Sequence, residues 1–242
     1  MDVKTNTQVQ AETYVDEGLR QYFMKVYNFM AGGLCVTALA AYIFANTPAL
    51  LRLLFSVSAN GSVGLSVLGW LLTFAPLVMV FAFGWVINRG TIGQVQAVFW
   101  GFSALMGASL TPILLVYTGA SVARVFLITA AMFGGMSLYG YVTKKDLSRL
   151  GSFMIMAVIG VILASIANIF LKSQGLSLAV SLVSVVAFTA LTAYDTQKIR
   201  QMYYGGDSEE MMNRKAISGA LELYLDAINM FIALMRLLGD RK

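Results

Sequence analysis

Asp195 in TAYDTQKIR, Glu222 and Asp226 in LELYLDAIN, and Arg89 in GWVINRG lie within, or close, stretches that are otherwise apolar. Glu222 and Asp226 are four residues apart, so on a helix they share one face. Two carboxyl groups held close together away from water cannot both ionise cheaply, and their protons leave in two coupled steps. An arginine beside them would favour the charged form and could latch two helices together. Ionised, the same oxygens are hard ligands suited to Ca²⁺ or another divalent cation. The chain has no histidine, which removes the usual zinc ligand, general base and pH switch. A response to pH near neutrality would therefore have to come from these acids.

The elements that position them follow from where charges are missing. The 242 residues carry 17 Lys+Arg and 12 Asp+Glu, a net charge of +5. They are 58% hydrophobic and only 12% charged, with a mean hydropathy of +0.74. Soluble domains carry about twice that charge fraction, and disordered chains lack such apolar content. No charge interrupts the intervals Lys25–Arg52, Arg52–Arg89, Arg89–Arg124, Arg124–Lys144, Arg149–Lys172 or Lys172–Asp195. A membrane crossing takes about 20 apolar residues. Six spans are expected near 26–46, 67–88, 95–117, 123–142, 151–171 and 176–197. A seventh, 216–238, is long enough but holds Glu222 and Asp226. Lipid-facing carboxylates would be costly, which argues that this helix is walled by the others.

The fold class is thus an all-α integral membrane protein of seven spans, with residues 1–25 as a cytosolic N-terminal tail and 26–242 as one transmembrane domain. Six basic residues (Arg52, Arg124, Lys172, Arg236, Arg241 and Lys242) fall on one side, leaving eleven of the 17 on the other. Positive-inside then puts the N-terminus in the cytoplasm. Pro48–Ser66 reads as an external Ser/Gly/Asn-rich loop. Pro76 and Pro112 fall inside spans, and Ala130/Gly134 and Ala131/Gly135 have the spacing of close helix contacts. Cys35 is the lone cysteine, so no internal disulfide can form.

An enzyme is not expected. A YD motif occurs, as in aspartyl intramembrane proteases, but the second acid lies in YLDAI without the glycines of a GxGD motif. There is no GxSxG, no phosphate loop, and no mid-membrane lysine for a retinal. Cofactors are expected to be none, nucleic acid is not implied, and the chain reads as a monomer in the bilayer.

The segments GYVTKKDLSRLGSF, TAYDTQKIR and GALELYLDAINMFIALMRLLG, with LTPILLVYT in the third span, occur in the order and spacing of the transmembrane Bax inhibitor motif family. The chain resembles the Bax inhibitor-1 branch, as a bacterial inner-membrane member, from about residue 20 onward. The resemblance implies seven helices with the last at the centre, and a pH-sensitive Ca²⁺ leak gated by an aspartate pair. Its YD acid falls on Asp195, its LYLD acid on Asp226, and its basic residue ending span two on Arg89. Glu222 stands where relatives often carry a small or polar residue, as an additional carboxylate on the ion path. Some bacterial relatives suggest another role, as modulator or substrate of a membrane-bound ATP-dependent protease, in which the N-terminal tail would matter more.

The expected mechanism is a clasp. Asp195 and Asp226 share protons, pair with Arg89 and close one end of a path along helix seven, with Ca²⁺ as the transported or bound ion. Protonation would release Arg89 but also discharge the Ca²⁺ ligands, so the two consequences oppose each other.

Overall fold

The computed structural model describes the backbone of residues 2–57 and 63–242, and the side chains of residues 17–56 and 64–242. The elements in chain order are α1 (Asp2–Asn46), α2 (Pro48–Leu54), β1 (Phe55–Val57), β2 (Val63–Leu65), α3 (Val67–Arg89), α4 (Ile92–Val116), α5 (Gly119–Val142), α6 (Ser148–Leu171), α7 (Gln174–Met202) and α8 (Glu209–Leu238). Seven of the helices are long and apolar enough to cross a membrane, the first of them over Glu17–Asn46. This is an all-α membrane protein.

Hydroxyl side chains set the helix starts. Ser66, Thr118, Ser173 and Ser208 each accept a hydrogen bond from the backbone N–H three residues on. Thr91 does the same within a full capping box, its partner Gln94 reaching back to the Thr91 N–H. Each cap satisfies an N–H that has no partner within its own helix. The connections can therefore be short and the long helices antiparallel neighbours.

The structure adds detail at both ends of the first span. The stretch Pro48–Ser66, expected as an external loop, holds regular elements where it is described: Pro48 opens α2, and β1 pairs antiparallel with β2 in the register Phe55↔Leu65, while residues 58–62 lie outside the described residues. At the other end, α1 runs unbroken through residue 25. Tyr22 and Val26 are fully buried, in the same core cluster as Phe99, Phe102 and Tyr224. The helix of the first span thus begins before residue 26, while the side chains of residues 1–16 of the expected tail lie outside the described residues.

α1 packs on α4 and α8, α3 on α4, α5 on α7 and α8, α6 on α7, and α7 along α8. Of the seven long helices, α8 has the largest buried share and α6 the smallest. Tyr224 of α8 anchors one side of the core. Its hydroxyl is 2.6 Å from Thr37 Oγ1 on α1, and its ring meets Phe102 edge-on at 5.5 Å.

Close backbone approach occurs where glycine permits it. A Cβ on Gly107 would collide with the Thr37 carbonyl of α1, and one on Gly140 with the Ala193 carbonyl of α7. Gly134 and Gly135, by contrast, face open space. The small-residue spacing of α5 thus marks the wrong face, and the contact with α7 is made about one and a half turns later at Gly140.

Candidate functional site: a carboxylate cluster on a cavity wall

α7 and α8 are joined by the short segment 203–208 and lie side by side. In such an antiparallel pair, residues climbing α8 meet residues descending α7. Lys198 therefore faces Glu222, and Asp195, one turn earlier, faces Asp226. Lys198 Nζ donates to Glu222 Oε1 at 2.8 Å. The side chains of Asp195 and Asp226 lie within hydrogen-bonding reach of each other. Asp226 is 4% exposed, whereas Asp195, Glu222 and Lys198 are half-buried.

α7 continues to Met202. Asp195 consequently lies about two turns inside the helix rather than at its end. Three carboxylates and one ammonium group leave the cluster with two unbalanced negative charges when all are ionised. One oxygen of each α8 acid, Glu222 Oε2 and Asp226 Oδ2, is buried without a hydrogen-bond partner among the described residues. Unmet acceptors in an apolar interior are costly, and a proton or a cation would satisfy them.

Arg89 is not brought to the acids. It is exposed at the last turn of α3 and forms no ion pair among the described residues. The cause is where α3 docks. Arg214, in the first turns of α8, donates to the Ile87 carbonyl at 3.0 Å and the Gly90 carbonyl at 2.6 Å, and pairs with Glu210 at 2.6 Å. This fixes the end of α3 eight residues before Glu222, about 12 Å along α8. The cation that does meet the cluster is Lys198. Its spacing from Asp195, three residues on a helix, was the signal for it.

The cluster forms part of the wall of a cavity of about 870 Å³. Asp195, Glu222 and Asp226 mark one end. The cavity then passes Asn229 and extends to Ser184, Ser181 and Arg236, with Leu77 of α3 and Val158–Ile169 of α6 also lining it. Among the described residues, no group of three or more His, Cys, Asp or Glu side chains gathers at metal-binding spacing. Ca²⁺ favours six to eight oxygens, more than the aspartate pair alone supplies.

At the opposite end of α8, the C-terminal residues fold back on the α4–α5 turn. Arg124 pairs with Asp240 at 2.6 Å, and the Lys242 N–H donates to the Val116 carbonyl at 2.9 Å.

The comparison with known proteins is decisive for the family. Residues 19–242 match the family described as "Inhibitor of apoptosis-promoting Bax1". The chain belongs to this family. Members 43% identical to it include an uncharacterised protein of Rickettsia prowazekii, aligned over 99% of this chain and 98% of the relative. The inner membrane protein YbhL of Escherichia coli is also 43% identical, over 93% of this chain and 94% of its own length. The uncharacterised protein YrjE of Lactococcus lactis is 39% identical over 92% of each. These alignments run nearly end to end, so the family assignment covers the whole seven-helix bundle, with α7, α8 and their acids within it.

Proposed function

We propose that this Bax inhibitor-1 family protein is a pH-sensitive Ca²⁺ leak pathway of a bacterial inner membrane, with its N-terminus in the cytoplasm. The observation that carries the reading is the pairing of Asp195 with Asp226, from different helices, on the wall of a cavity that follows α8. A proton shared by the pair holds α7 to α8. Its loss leaves two like charges that repel one another and attract a cation. The hydroxyl and amide groups of Ser184, Ser181 and Asn229 then offer oxygen ligands along the cavity.

Arg89 has no part in this version of the gate. The Lys198–Glu222 ion pair takes the place of the arginine latch, because it lies one turn from the aspartates on both helices. The test is reconstitution of the full chain in liposomes loaded with a Ca²⁺-sensitive dye. Flux above that of empty vesicles supports the leak, and flux equal to theirs at every pH from 6 to 8 refutes it.

A further inference from the structure

The cavity beside the carboxylates is open sideways. α3 packs principally on α4 and α6 on α7, and the cavity lies between Leu77 of the first and Val158–Ile169 of the second. Leu77 is 59% exposed and Ile162 53%. Between two membrane-crossing helices, such a slot opens onto lipid chains rather than water. An ion path alone does not require apolar walls or a lateral opening.

Deep in the slot, Asp226 is buried and its Oδ2 has no hydrogen-bond partner among the described residues; Glu222 Oε2 shares both features. Lys198 neutralises only the other oxygen of Glu222. An acceptor-rich, net negative head site thus adjoins a lipid-accessible apolar groove. The 870 Å³ of the cavity falls in the range of about 300–1,000 Å³ typical of small-molecule sites.

We propose that the slot is a binding site for a cationic amphiphile, a primary alkylammonium, which enters from the bilayer. The ammonium group has three donors and bonds Asp226 Oδ2, Glu222 Oε2 and the Asp195 carboxylate. The alkyl chain lies between α3 and α6. Arg236 sets the polarity of binding: it lines the same cavity ten residues further along α8, about 15 Å away, and repels a cationic head from that end. The inference uses the carboxylates of the proposed leak but needs no Ca²⁺ flux.

The test is photolabelling of the full chain in phosphatidylcholine nanodiscs. The probe is dodecylamine carrying a diazirine at its chain end, compared with the matching uncharged alcohol. Adducts mapped by mass spectrometry should concentrate on Leu77 and residues 158–169 with the amine, about tenfold over the alcohol, the factor expected of one charge-assisted hydrogen bond. Unlabelled dodecylamine should compete them away. Asp226→Asn should abolish the enrichment. Ile162→Trp should reduce it by narrowing the opening without touching an acid, which provides a test even if Asp226→Asn does not fold. Equal labelling by amine and alcohol, or amine labelling unchanged in both variants, overturns the proposal. Specific labelling in a protein that passes no Ca²⁺ would refute the leak alone, and flux without specific labelling would refute this site alone.

Discussion

Lys198 Nζ lies 2.8 Å from Glu222 Oε1, one turn from the point where Asp195 meets Asp226. The two contacts form consecutive rungs between α7 and α8, one an ion pair and the other two acids. The ion pair ties α7 to α8 directly beside the two acids. Removing Lys198 leaves Glu222 uncompensated beside two further acids.

Lys198→Met should therefore lower thermal stability in detergent by about 1–3 kcal/mol, the cost of stranding a partly buried charged acceptor. Adding Glu222→Gln to it should recover much of that loss, because the double variant has no unpaired charge at the rung. A double variant less stable than Lys198→Met would show that the pair is not the relevant contact.

The two arginines near the end of α3 should behave differently. Arg214 caps the Ile87 and Gly90 carbonyls, with its side chain 17% exposed. Arg214→Met should cost about 1.5–3 kcal/mol, as hydrogen bonds from a charged donor do, and should speed amide hydrogen exchange at the end of α3 and in the α3–α4 turn. Arg89→Ala should change stability by less than about 0.5 kcal/mol, as for an exposed side chain without partners, and should leave Ca²⁺ flux unchanged.

Gly140→Leu places a side chain against the Ala193 carbonyl of α7. The expected loss is about 1–3 kcal/mol or more, the range for overpacking. Gly134→Leu, on an open face of the same helix, should be tolerated. Thermal unfolding of the two variants side by side checks both.

Outside the spans, Asp146 accepts from the Ser148 N–H at 2.9 Å at the start of α6. The Ser148 side chain, and then its backbone N–H, hold this carboxyl below its ordinary value of 3.8. A depressed folded value means that its stabilising contribution is complete above the unfolded value and is lost as pH falls through the folded one. Asp146→Asn should thus be neutral at strongly acidic pH and mildly destabilising near neutrality. Unfolding curves across that range give the comparison.

The spans and the acids were legible in the sequence because uncharged runs long enough to cross a membrane leave few alternatives, and a carboxylate within one must face protein. Depth along a helix follows from counting residues, which is how Asp195 and Asp226 could be placed near each other. Direction around a helix, and which helix lies opposite, do not follow from counting. Arg89 matches the acids only loosely in depth, and α3 docks on α4 and Arg214 instead. The spacing of Ala130 and Gly134 gives a face but not its neighbour. Lys198 reads as a loop-flanking charge until α7 is seen to continue to Met202. The hairpin after α2 is hidden because its short strands pair only with each other, in a segment whose composition suggests a turn-rich loop.

The central claim is that the Asp195–Asp226 pair gates a cation path, and the pH dependence of Ca²⁺ flux tests it most directly. Liposomes loaded with dye, assayed from pH 6 to 8, should show a flux that changes with pH for the parent chain. For Asp195→Asn and for Asp226→Asn, each folded as judged by its unfolding transition, the flux should no longer follow pH. A pH response retained in both variants, at the parent's midpoint, would contradict the account.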